Sequence, residues 1–374
     1  MRRPNRENSA LSQGGTTSNA SHGSDDSRRR FLTKLGALGV TTILPAGHVG
    51  AQVASAPTGA GPNRIDVHHH MLPPAYLAIT RERIGQITPN PEVVNWTPAR
   101  TLEQMDRFGI ATSMLSLPLP GVWFGGRETS RKLARVSNEY GAQVSGDRRE
   151  RFGFFASIPL PDVDASLTEI AYAFDTLNAD GIALQTSYDD RWPGDPAFAP
   201  VFDELHRRKA VVFVHPTEPV CCANLVAGVP TSVAEFLFDT TRAVLSFLVN
   251  GTFARCSDIR FVFCHAGGTM PVLAARINTF VQAQPALADS VPNGVVHELR
   301  RLYYDVANAT NPSSLAALMN LVPSSQVLWG TDYPYRNINL TADGWETYAI
   351  TDDVRRAIDG GNALRLFPRL DLAR

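Results

Sequence analysis

From position 65 onward the chain alternates between short apolar runs and longer stretches whose apolar residues recur at helical spacing. The runs at 65–68, 112–118, 152–159, 181–186, 211–214, 259–264, 302–306 and 326–329 read as strands. Most are continuous rather than alternating, which is the pattern of parallel strands covered on both faces. Between them, 129–146, 164–177, 200–209, 233–249, 270–282 and 312–321 read as helices. Eight strands alternating with helices over about 310 residues predict an α/β fold, a (β/α)8 TIM barrel, whose chemistry sits at the C-terminal ends of the strands. A doubly wound open sheet is the alternative, but no glycine-rich phosphate fingerprint follows the first strand. Residues 71–101 and 217–232 form insertions after the first and fifth strands, and such loops shape substrate pockets.

The stretch before the first strand has another character. Residues 1 to about 26 are rich in Ser, Gly, Asn and Arg and read as disordered. Ser27-Arg28-Arg29-Arg30-Phe31-Leu32-Thr33-Lys34 then matches the twin-arginine export pattern S-R-R-x-F-L-x-K. A mildly apolar segment, 35–46, follows and is too short for a stable bilayer anchor. Cleavage at Val49-Gly50-Ala51 or Ala54-Ser55-Ala56 would leave a periplasmic or secreted protein. Residues 1–55 are thus expected to be a disordered tail plus signal peptide, and 56–374 a single (β/α)8 domain. No later run is long and apolar enough to span a membrane.

Composition narrows the function classes. Of 374 residues, 35 Lys+Arg balance 36 Asp+Glu, so nothing points to nucleic acid or an acidic substrate. The 28 Gly and 26 Pro suit many strand-turn-helix junctions. Four Cys do not make a disulfide scaffold, and adjacent Cys221 and Cys222 are not expected to bridge each other.

Candidate chemistry gathers where the strand runs end. Asp66-Val67-His68-His69-His70, Phe213-Val214-His215-Pro216, Phe263-Cys264-His265-Ala266-Gly267-Gly268 and Gly330-Thr331-Asp332-Tyr333-Pro334 each close one. Side chains two apart on a strand share a face, so His68 and His70 can reach one ion while His69 points away. Neutral imidazoles suit Zn²⁺ and other first-row divalent ions, and Asp332 completes a site open to water or substrate. One divalent ion, zinc or alternatively manganese, is the expected cofactor. The fourth strand run, Gly181-Ile182-Ala183-Leu184-Gln185, carries no Lys that could bridge a second ion.

These motifs, with Trp96-x-Pro98, Met105-Asp106, Arg151-Phe152 and Gly361-Asn362-Ala363, resemble the amidohydrolase superfamily. Within it they are similar to the decarboxylase branch typified by 2-amino-3-carboxymuconate-6-semialdehyde decarboxylase. The resemblance implies His68, His70, His215 and Asp332 as metal ligands, and His265 as a catalytic residue near the metal-bound water. It also implies that Arg276 contacts a substrate carboxylate across a homodimer interface. Two arginines of that enzyme are replaced here by Thr101 and Glu103, which puts a second substrate carboxylate in doubt. The segments 116–122, 159–163 and 238–242, the last ending in Arg242, look closer to 6-methylsalicylate decarboxylases. The implied activity is metal-dependent, non-oxidative decarboxylation (a carboxy-lyase) of a small hydroxylated aromatic carboxylate. Asp332 would donate or relay the proton, Arg242 would contact substrate, and Trp123, Phe124 and Phe236 would stack on the ring. A metal-dependent hydrolase of a lactone, amide or ester is the alternative, since the same ligands serve it.

Overall fold

The computed structural model describes residues 64–371 apart from 125 and 224. The disordered tail, the export signal and the domain start at 56 lie outside the described residues. Eight strands appear in chain order: β1 Arg64–His70, β2 Ile110–Ser116, β3 Phe152–Ser157, β4 Gly181–Gln185, β5 Val211–His215, β6 Arg260–Phe263, β7 Tyr303–Asp305 and β8 Val327–Leu328. Each pairs in parallel with the next. Backbone bonds then join β8 to β1: Val67 N–H donates to Trp329 O (3.1 Å) and His70 N–H to Tyr333 O (2.8 Å). The result is a (β/α)8 barrel, and the open-sheet alternative falls away.

Period-two alternation builds two cores from one strand set. In β5, Val211 and Phe213 join the cluster inside the barrel, while Val212 and Val214 pack outward under the helices. In β3, Phe155 points in while Phe152, Phe154 and Ala156 point out. Phe155 stacks on Phe213 at 5.0 Å across the barrel interior. Ala363, Leu366, Phe367 and Leu370 belong to the same interior cluster and close the barrel end opposite the strand C-termini. β1 departs from strict alternation, since its register with β2 shifts between Asp66 and His69. This irregularity turns both Val67 and His68 inward: Val67 joins the interior cluster and His68 meets the Phe213 ring at 5.1 Å.

The outer helices sit close to where periodicity puts them, for example Arg127–Asp147, Met270–Gln282 and Pro312–Leu321. The insertion after β1 is itself helical, with Pro74–Ile87 and Pro91–Val94, and Pro98–Phe108 begins inside it. Thr97 caps that last helix by accepting from Arg100 N–H, and Gly109 ends it in the left-handed region (φ 64°). Against expectation, Cys221 and Cys222 form a disulfide, because one tight turn, Val220–Cys222, brings their side chains together. Cys256 and Cys264 are free and buried. Among the described residues no helix is long and apolar enough to cross a membrane.

Candidate metal centre

His68 and His70 from β1, His215 from the end of β5, and Asp332 just beyond β8 converge at the C-terminal mouth of the barrel. All four are buried, and one donor atom from each lies within 4.8 Å of the others. Asp332 Oδ1 stands 3.0 Å from His70 Nε2 and 3.4 Å from His68 Nε2.

The Nδ1 atom of each imidazole is already engaged. His68 Nδ1 faces Asp305 Oδ2 (2.9 Å), His70 Nδ1 faces Ser116 Oγ (3.1 Å), and His215 Nδ1 faces Pro216 O (2.8 Å). An imidazole that donates from Nδ1 keeps the lone pair of Nε2 for an ion. His68 Nε2 and His215 Nε2 are buried and without any hydrogen-bond partner. Buried nitrogens left bare beside a carboxylate are what a missing cation explains, so the residues present fit a divalent ion.

Electrostatics agree with that reading. Burial holds His70, His215 and His265 below the ordinary histidine pKa, and the imidazoles of His70 and His68 deepen the effect at His215. Burial works the same way on His68, but the carboxylates of Asp305 and Asp332 beside it override it and raise its pKa. That is a proton an incoming cation displaces. Burial would raise Asp332, yet the imidazoles of His68 and His70 facing it keep its carboxyl well below the usual carboxylate range.

Local backbone conformation sets these side chains. His265, Ala266, Gly267 and Gly268 run through four consecutive positive φ angles, and Asp332 also lies there (φ 65°). Non-glycine residues in this region carry backbone strain that the surroundings must hold. A Cβ on Gly268 would stand 2.2 Å from Leu237 O, so the turn beside His265 requires glycine. A Cβ on Gly330 would stand 2.8 Å from His68 Cβ, so glycine lets β8 approach the ligand strand. His265 hangs its Nδ1 on Ala307 O (2.8 Å) and stands 5.0 Å from His68, ring to ring. His69 turns away as its spacing predicted, to Asp66 Oδ2 (2.8 Å) and Thr101 Oγ1 (3.3 Å).

Residues 65–369 match the amidohydrolase family. The chain belongs to that family. Among amidohydrolase relatives, decarboxylase yanB of Aspergillus niger is 34% identical over 328 residues, covering 83% of this chain and 89% of its own. A 6-methylsalicylic acid decarboxylase of Penicillium expansum is 34% identical over 314 residues, 82% and 97% of the two chains. A dihydroxybenzoic acid decarboxylase from Polaromonas sp. JS666, solved with bound manganese, shares the amidohydrolase barrel at a TM-score of 0.71 and 21% identity. It is covered over 83% of this chain and 98% of its own.

In this amidohydrolase a cavity of about 470 Å³ opens on the centre, lined by His70, His215, His265, Asp332, Asn308 and Arg336 among others. Phe236 lines it as well, whereas Trp123 and Phe124 line a neighbouring cavity. Both insertions contribute walls, through Ile87 and Pro89 from one and Pro230 and Ser232 from the other. Arg242 lines neither cavity: its guanidinium lies 3.6 Å from Glu235 and 3.9 Å from Asp239 on its own helix. Arg276 is exposed on Met270–Gln282, away from both cavities.

Three residues that the motifs did not single out complete the centre. Asp305, fully buried at the end of β7, receives His68 on Oδ2 and the His265 and Ala307 N–H groups on Oδ1 (3.0 Å each). Asn308 donates to Asp332 Oδ2 at 2.8 Å. Arg336 is the one guanidinium or ammonium group lining the cavity among the described residues, and its backbone N–H donates to Asp332 O (3.0 Å). An acidic residue at the end of an apolar strand was the available signal for Asp305.

Proposed function

We propose that this chain is a metal-dependent, non-oxidative decarboxylase, a carboxy-lyase, acting on a small hydroxylated aromatic carboxylate such as a salicylate. The observation that carries the reading is the pair of bare, buried imidazole nitrogens beside Asp332, in a cavity whose one permanently charged cation among the described residues is Arg336. Relatives named as decarboxylases of 6-methylsalicylic and dihydroxybenzoic acids support it.

His68, His70, His215 and Asp332 would hold the ion, which when bound supplies Lewis acidity for negative charge developing on oxygen. Arg336 faces the carboxylate, and Phe236 packs against the ring. Asp332, a carboxylate at rest, takes the proton of the ortho hydroxyl and passes it to the ring carbon that bears the carboxylate. The C–H bond forms, the C–CO₂ bond breaks, and its electron pair restores the aromatic ring as CO₂ leaves. Asn308 steadies Oδ2 of Asp332 during the transfer. His265, with Nδ1 fixed and a depressed pKa, stays neutral and offers Nε2 to water or to the same proton.

An imidazole-rich set with one carboxylate favours zinc, with manganese the alternative. A homodimer is supported by the face of Met270–Gln282 that exposes Val272, Arg276 and Phe280, each one helical turn apart. Processing of residues 1–55, export by the twin-arginine route, and a periplasmic or secreted domain from 56 rest on the leader sequence.

The test is incubation of metal-loaded protein with 2-hydroxybenzoates and, in parallel, with lactones and amides, following CO₂ release and loss of acid. CO₂ release with formation of the phenol is expected. Turnover confined to the lactones or amides would replace this reading with hydrolysis.

A further inference from the structure

The cavity at the metal centre already exceeds what one benzoate ring fills, yet a second cavity of about 540 Å³ adjoins it. Ile87, Leu119, Pro230, Ser232 and Phe236 line both and form a common wall. Beyond that wall lie Trp123, Phe124 and Gln185. Gln185 ends β4 beside His215 of β5, to which it is in register. Its side chain lies under Gly121, where a Cβ would meet Gln185 Cγ at 3.3 Å. The carboxamide oxygen is buried and unpartnered. With that oxygen sealed off, the NH₂ of the carboxamide, on a wall that also carries aromatic rings, is left to donate to a ligand oxygen.

The rim excludes a second negative charge from that ligand. Asp189, Asp190 and Glu218 outnumber the single cation, Arg83, whose guanidinium sits 5.0 Å over the Phe124 ring. The acids are built into the rim: Asp189 receives Trp123 Nε1–H (2.8 Å), Asp190 receives Cys221 N–H (3.0 Å), and Glu218 receives Thr231 Oγ–H (2.6 Å). Such a rim repels a second carboxylate and accepts a neutral group.

We infer that the outer cavity is a substrate subsite for a neutral, hydroxyl-bearing aryl or alkyl extension of the aromatic acid, read by the carboxamide of Gln185. This rests on the decarboxylase reading for the reacting end of the molecule. The ring would lie at the metal centre with its extension passing Phe236. The hydroxyl would lie against Gln185 and the extension between Trp123 and Phe124.

The experiment uses the metal-loaded full chain and three acids: 2-hydroxybenzoate, the same acid with a hydroxyphenyl extension, and the acid with a plain phenyl extension. A calorimetric arm measures binding of the matching extended phenols, which needs no turnover. The hydroxyphenyl acid is expected to exceed both others in kcat/KM by about tenfold or more, because a site built to bond a hydroxyl rejects the analogue lacking it. In Gln185→Met, which keeps side-chain length, the advantage over the plain phenyl acid should collapse. Turnover of 2-hydroxybenzoate with no gain from either extension overturns the subsite and leaves the decarboxylase reading intact. If no acid is turned over, the decarboxylase reading falls. The subsite then stands or falls by whether the hydroxyphenyl phenol binds more tightly than its plain phenyl counterpart to the wild-type protein.

Discussion

Replacing Asp305 by Asn keeps the shape of a fully buried side chain and changes one proton. The wild-type carboxylate accepts on both oxygens: Oδ1 from the His265 and Ala307 N–H groups, Oδ2 from His68 Nδ1–H. An asparagine must keep its carbonyl toward the two backbone donors, so its NH₂ faces His68 Nδ1 at about the same 2.9 Å. Two donors cannot share that contact, and His68 responds by moving its proton to Nε2, the atom aimed at the ion site. Metal affinity should then fall about 10–100-fold, the usual effect of losing an outer partner of a metal-bound histidine. That corresponds to roughly 1.4–2.7 kcal/mol. Competition against a chromophoric chelator measures it, with circular dichroism as the check on folding. Unchanged affinity in a folded Asp305→Asn protein would show that His68 does not take its tautomer from Asp305, and would remove the central argument for the ion site.

Asp332→Asn and His265→Ala should each lower kcat by about 10²–10⁴, the range for lost proton transfer. Only the former should also weaken metal binding, and full activity in either variant would refute its assigned role. Phe247→Ala removes a buried ring packed at 5.0–5.1 Å on Phe202, Phe253 and Phe261. It should cost about 3–5 kcal/mol in denaturant unfolding, and a loss below about 1 kcal/mol would contradict the packing. Glu204 is held down to a pKa of about 2 by hydrogen bonds from Arg207 and then Arg208. A depressed carboxylate stabilises above its unfolded pKa and loses that contribution as pH falls through the folded one. Glu204→Gln should therefore lower the unfolding free energy slightly at pH 7, by less than about 1 kcal/mol for a partly exposed pair. The gap should narrow below about pH 4.3 and close near pH 2; a gap independent of pH would exclude the ion pairs as its source.

The barrel was legible because parallel strands covered on both faces are apolar along most of their length, and 152–156 of β3 and 211–214 of β5 carry that signature. The ligand strand was legible through its period of two, although the register shift in β1 that turns Val67 and His68 both inward has no sequence mark. Asp305 closes an apolar strand, but nothing near it in the sequence names its partner: His68 is 237 positions away. Arg242 closes one motif segment and Arg336 follows another, and the difference lies in neighbours. Asp239, three residues before Arg242 on one helix face, and Glu235 draw its guanidinium aside, and that spacing was visible. Arg336 has no comparable partner, and only the fold shows that the loop after β8 turns it toward the cavity. Adjacency in the sequence speaks against a bond between Cys221 and Cys222, whereas a tight turn decides their pairing.

The carbonyl of His68 accepts the backbone N–H groups of both Thr331 and Asp332, so the seam between the first and last strands runs through the ligand set itself. His70 and Asp332 face each other from positions 262 residues apart. No fragment that lacks either end of the barrel can assemble all four donors, so the complete set exists only once the first and last strands are joined. The same seam ties the centre to the fold: any parting of the two strands draws Asp332 away from His68 and His70, so opening of the barrel there dismantles the donor set.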